Sequence, residues 1–273
     1  MIQMFCSEIY GYKAFQKHTE LKKMATGFFV EFRLHGYARS YAKWVKARAH
    51  SEARKLGIKL IMNKEVPHIT LFGPAETNDI RRVTSAIMNI GQKYTLVPFK
   101  IGGFSIFKKP NKVIYLDVIP SPQLEQFRWE LAYNLMPVCR SYLEYDTGRA
   151  YKFHSTIKIC HGIDDSRFNT LCEYVENKCS LKDYERDKMS FLERLVDSAK
   201  EQLFREEEME HSIGQYLLRV TVLGKGRRIL FEYDLILRQL LNRRQALHKD
   251  IWGKTISKLR ELLLDSKLPS FRV

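Results

Sequence analysis

Two short motifs carry the residue types best suited to chemistry: His68-Ile69-Thr70 and His154-Ser155-Thr156. In an extended chain, residues i and i+2 share a face. Each imidazole therefore stands beside a hydroxyl, while Ile69 and Ser155 point the other way. An imidazole titrates at about pH 6.5 and can both take and give a proton near neutrality. If the two motifs face each other, one imidazole can deprotonate an attacking hydroxyl or water while the other protonates a leaving oxygen. Each transfer contributes about 10²–10⁴-fold in rate. The two threonine hydroxyls can donate to the non-bridging oxygens of a phosphate, where negative charge gathers. This set suits phosphodiester cleavage, and its roles are filled without a metal or other cofactor. Taken singly, each histidine reads as well as a core residue bonded to a carbonyl, and each threonine as a strand former.

The surrounding pattern decides between these readings. Residues 27–34 read as a strand and 37–56 as a helix, followed by the strand 66–72, which ends at Gly73-Pro74. A helix over 77–94 follows, then a hairpin of 99–107 and 113–119 around Lys108-Lys109-Pro110-Asn111-Lys112. The order then restarts, with a strand at 113–119, a helix at 122–138, the second motif on a strand over 152–159 and a helix over 164–177. A final hairpin pairs 216–223 with 228–235. Phe28 and Val113 are 85 positions apart, and His68 and His154 are 86 apart. Self-similarity at a fixed period has an architectural cause. The expected fold is α+β and bilobal: two pseudo-symmetric lobes, each an antiparallel sheet with helices, with the His-x-Thr strands facing.

The bilobal domain is expected to span 25–235, after an N-terminal extension of residues 1–24. Residues 180–212 read as a helical acidic insertion with 10 Asp/Glu against 6 Lys/Arg, and 236–273 as a basic helical tail. The tail has an apolar stripe, so one face should be buried, and its arginines and lysines are available to RNA backbone. The chain has 273 residues, 45% of them hydrophobic, and a net charge of +15. It is long enough for a large core, and its charge favours polyanions such as nucleic acid. The five cysteines, at 6, 139, 160, 172 and 179, are odd in number and lack a C-x-x-C. They read as reduced thiols of an intracellular, cytoplasmic protein (with the nucleus as the alternative for a eukaryotic source) rather than as disulfides or metal ligands. No apolar run is long enough to span a membrane, and no signal peptide is expected. Nothing in the sequence specifies an oligomeric state.

The paired motifs, in Pro67-His68-Ile69-Thr70-Leu71-Phe72-Gly73 and Phe153-His154-Ser155-Thr156-Ile157, resemble those of the 2H phosphoesterase superfamily. The likeness is greatest to the LigT-like group of 2′-5′ RNA ligases and RNA cyclic phosphodiesterases. It covers roughly residues 25–178 and 215–235. The resemblance implies a bilobal fold, a metal-free cleft and RNA or nucleotide substrates with 2′,3′-cyclic phosphates or 2′-5′ linkages. It also implies His68 and His154 as the acid–base pair and Thr70 and Thr156 as phosphate ligands. Many members have an arginine five residues after the second histidine, where this chain has Ile159. Strand alternation puts Lys158 on the His154 face, where it could supply that charge, though without arginine's bidentate fork. Phe72 and Tyr151 are candidates for stacking a base. Two alternatives remain at this level: a non-catalytic RNA-binding protein on the same fold, and a related enzyme for another substrate such as 2′-5′ oligoadenylate.

Overall fold

The computed structural model describes residues 25–58, 66–109, 111–148, 151–189 and 212–266. The N-terminal extension, most of the acidic insertion and the last seven residues lie outside the described residues. The elements are β1 (Thr26–Arg33), α1 (Gly36–Lys55), β2 (His68–Thr77), α2 (Ile80–Gly91), β3 (Pro98–Phe107) and β4 (Lys112–Pro120). Next come α3 (Pro122–Leu135), β5 (Arg140–Ser141), α4 (Glu144–Thr147), β6 (His154–Cys160), α5 (Asp165–Lys178) and α6 (Leu181–Lys188). The chain continues through β7 (Ile213–Tyr216), β8 (Arg219–Leu223), β9 (Ile229–Asp234), β10 (Gln239–Asn242), α7 (Arg243–Ala246) and α8 (Lys249–Ser266). No helix among the described residues is long and apolar enough to cross a membrane.

Local chemistry explains the main boundaries. The Asp79, Ser121 and Asp164 side chains cap α2, α3 and α5 by accepting from backbone N–H groups, which replaces bonds that a helix start lacks. Pro122 stands in the first turn of α3, where no N–H is needed. Ser180 and Asp183 form a capping box on α6.

Two antiparallel sheets result. Sheet A has the order β10-β9-β8-β1-β2-β5, and sheet B the order β6-β4-β3-β7. The repeat is visible as an exchange. Each unit places its first strand beside its own His-x-Thr strand (β1 with β2, β4 with β6) and sends its last strand to the other sheet. Thus β3 completes sheet B and β8 completes sheet A. The core runs continuously through both halves, from Phe28, Val30 and Phe32 through Phe99, Leu116 and Ile157 to Phe231.

Three sequence expectations change. Strand β2 does not stop at Gly73-Pro74. It crosses a cis peptide there and continues to Thr77, paired with Thr26. The run expected as one strand over 216–223 is divided at Leu217-Leu218, with β7 in sheet B and β8 in sheet A. The tail is helical over α8, but residues 239–242 are a strand of sheet A.

Candidate active site

The two histidines open their strands in the same way. His68 Nδ1 lies 3.0 Å from the carbonyl of Val66, and His154 Nδ1 lies 2.9 Å from the carbonyl of Lys152. A carbonyl only accepts, so Nδ1 carries the hydrogen in both rings and Nε2 is the nitrogen left for proton transfer. Both bonds reach back two residues. They need only the strand's own backbone, which is why one short motif can orient its ring twice.

After each motif the pairing slips by one residue. On β2, Glu31 pairs with Thr70 and Val30 with Phe72, leaving Leu71 extra. On β6, Tyr115 pairs with Thr156 and Ile114 with Lys158, leaving Ile157 extra. A bulge of this kind reverses the faces beyond it. Phe72 therefore turns to the core, where it is fully buried and stacks on Phe28 with ring centroids 6.4 Å apart. Lys158 likewise turns away from His154 and Thr156. It is buried on the side of Ile114, near enough for its charge to act on His50 of α1, and burial lowers its ammonium below the usual lysine range. The expectations that Lys158 shares the His154 face and that Phe72 is available to stack a base are corrected by this geometry. The same bulge puts Ile159 on the His154 face, paired with Val113. The family's arginine position thus faces the motif, but an isoleucine occupies it here.

Tyr151 is also committed elsewhere. Its hydroxyl donates to the Thr70 carbonyl at 2.8 Å, and the Arg128 guanidinium covers its ring at 4.1 Å. This contact runs from the segment before β6 to the middle of β2, and it brings the two His-x-Thr strands together. Arg128 is almost wholly buried. It donates to the Gly148 carbonyl and lies 3.7 Å from Asp146, which accepts from Gly73 N–H at 2.9 Å and from the Ser141 hydroxyl. One polar chain therefore joins the bulged part of β2 to the start of β6. Burial raises the Asp146 carboxyl above its ordinary range.

Thr70 and Thr156 lie on the same faces as their histidines and are half-buried. Several neighbours had no sequence signal. On sheet A, Arg33 pairs with His68 and Glu31 with Thr70. The Glu31 carboxylate, only 2% exposed, accepts from Arg33 Nε at 3.2 Å and comes within 3.9 Å of His68 Nε2. The polar row continues sideways: Thr221 pairs with Glu31 and donates to Glu232, and burial raises the Glu232 carboxyl. On sheet B, Asp117 pairs with His154 and is bridged at 2.7 Å by Lys152. Phe107 and Tyr115 stack on each other at 4.3 Å, and each meets the His154 ring at 5.3 Å. These neighbours come from cross-strand pairing, and single-strand periodicity does not contain that information.

The arrangement can present two Nε2 atoms, two hydroxyls, the cations Arg33 and Lys152, and an aromatic pair beside His154.

No curated protein matches the chain. Solved structures similar to the chain include "Structure of Kluyveromyces marxianus Usb1 with uridine monophosphate" (TM-score 0.39, 10% identity, covering 72% of this chain and 92% of that chain) and "Structure of Kluyveromyces marxianus Usb1" (TM-score 0.41, 10% identity, covering 80% and 97%). The family model described as the 2′-5′ RNA ligase superfamily matches residues 39–197, more than half of the chain. With that match spanning both His-x-Thr motifs, this chain belongs to the 2′-5′ RNA ligase superfamily, a branch of the 2H phosphoesterases.

Proposed function

We propose that the protein is a metal-independent RNA phosphodiesterase that opens 2′,3′-cyclic phosphate ends. The reverse reaction, attack of an RNA 5′-hydroxyl on the cyclic phosphate, is the corresponding 2′-5′ ligation. The observation that carries this reading is the doubled orientation of His68 and His154, each with Nδ1 on the carbonyl two residues back and a threonine on the same face. In the forward direction one Nε2 takes a proton from water as the water oxygen bonds to phosphorus. The P–O bond to one ribose oxygen breaks, and the other Nε2 protonates that oxygen. Thr70 and Thr156 hydroxyls hold the non-bridging oxygens. The charge of +15 favours an anionic substrate. Phe107, half-buried beside His154, is better placed than Phe72 or Tyr151 to meet a nucleobase.

The test is an end-group assay on a short RNA bearing a 2′,3′-cyclic phosphate, in EDTA. Wild type is expected to yield a monophosphate end, and His68→Ala and His154→Ala to lose at least about 10²-fold in rate each. A folded wild type that leaves the cyclic end intact rejects this substrate. Retained activity in either variant rejects the two-histidine mechanism.

A further inference from the structure

We propose that Glu31 divides the labour between the two histidines: it holds His68 as the cation that protonates the leaving oxygen, and His154 is the base. This rests on the phosphodiesterase reading above. A carboxylate within about 4–6 Å favours the charged form of its neighbour, typically by 1–3 units. Glu31 Oε2 is 3.9 Å from His68 Nε2, the nitrogen that transfers the proton. Arg33 Nε donates to the other oxygen at 3.2 Å, which sets a guanidinium beside this buried carboxylate and leaves Oε2 on the imidazole side. Register sustains the arrangement, since Glu31 and Arg33 pair with Thr70 and His68 on one face.

Among the described residues, the charged groups on the His68 side include Glu31 and Arg33 on β1, Arg219 on β8, and Glu232 and Asp234 on β9, with Arg219 bound to Asp234 at 2.8 Å. His154 has different company. Its facing carboxylate, Asp117, is bridged by Lys152, and the rings of Phe107 and Tyr115 pack against it. His154 makes no ion pair with a carboxylate among the described residues. In the forward step, water gives its proton to His154 Nε2, its oxygen bonds to phosphorus, the ring P–O bond breaks, and the departing ribose oxygen takes the His68 proton. Solvent exchange then returns both rings to their starting states.

Glu31 is a positioning residue, so a pH profile tests it. The high-pH limb of kcat/KM reports the acid. In Glu31→Gln that limb is expected to move about one unit or more toward lower pH, with the low-pH limb in place, because the carboxylate 3.9 Å from His68 Nε2 is gone while the Arg33 guanidinium remains. An unmoved high-pH limb, or movement of the low-pH limb instead, overturns the proposal. A second readout does not require turnover. NMR titration of the imidazoles, assigned with His68→Asn and His154→Asn, should show His68 titrating above His154 in wild type, and only His68 falling in Glu31→Gln. Wild-type His68 titrating at or below His154 overturns the proposal even if Glu31→Gln does not fold. Absence of turnover rejects the functional reading alone, and the titration still decides the role of Glu31.

Discussion

The paired imidazoles are oriented by their own backbone, so their chemistry depends on what surrounds Nε2. On the His68 side that is a buried carboxylate, and on the His154 side two aromatic rings. Lys158, which simple alternation puts beside His154, lies on the opposite face, buried against α1. A phosphate-binding lysine would lose most of its rate on neutralisation. Here Lys158→Met is expected to keep kcat/KM within about twofold and to leave stability unchanged or raised, because a buried ammonium is costly to desolvate. Steady-state kinetics with a thermal melt checks both halves. A loss of tenfold or more in kcat/KM would return Lys158 to the phosphate site.

At the scale of elements, the Tyr151–Thr70 bond and the polar chain through Arg128 tie β2 to the start of β6. Removing the Tyr151 hydroxyl by Tyr151→Phe deletes the bond to the Thr70 carbonyl. It should cost about 1 kcal/mol of stability and lower kcat more than it raises KM, since the strands carrying the two acid–base groups lose a tie. Arg128→Ala leaves Asp146 buried without its guanidinium and uncovers the Tyr151 ring. The expected loss is about 3 kcal/mol, measured by urea unfolding. A change below about 0.5 kcal/mol would mean that the polar chain does not hold the halves together.

Across the whole molecule, the exchange of β3 and β8 makes each sheet depend on both repeats, so the halves cannot fold as separate lobes with separate sheets. The C-terminal segment is built into this unit. Arg219 donates to Thr255 of α8 and to the Ala246 carbonyl, and stacks on Trp252 at 4.8 Å, while Leu259 and Leu263 cover Tyr216 and Leu218. His35 sits at the same junction. Its Nε2 donates to the Tyr216 carbonyl at 3.0 Å, and its ring meets Phe32 and Trp252. Burial lowers its pKa from 6.5 to about 4. The folded form thus favours neutral His35, and its contribution is complete above pH 6.5. As pH falls from 6.5 toward 4, the unfolded chain gains a proton that the folded chain does not, and stability drops by up to about 3 kcal/mol. Urea unfolding across this range should show the slope, and His35→Gln, which retains a donor but does not titrate, should lack most of it. An equal slope in that variant would place the acid sensitivity elsewhere.

The repeat, the pairing of two His-x-Thr strands and most helices with their caps follow from the sequence itself. Each depends on spacing within one segment: 3.6 residues per helical turn, two per strand step, and matching motifs 86 positions apart. Alternation also placed Thr70 and Thr156 beside their histidines. It failed at Phe72 and Lys158 because one extra residue in a ladder reverses every face beyond it, and only the partner strand reveals that residue. The exchange of strands between sheets, Glu31 against His68, the aromatic pair at His154 and the Arg128–Tyr151 tie were decided by tertiary structure alone. They join residues from separate segments, and their identity depends on cross-strand register, which no local period encodes.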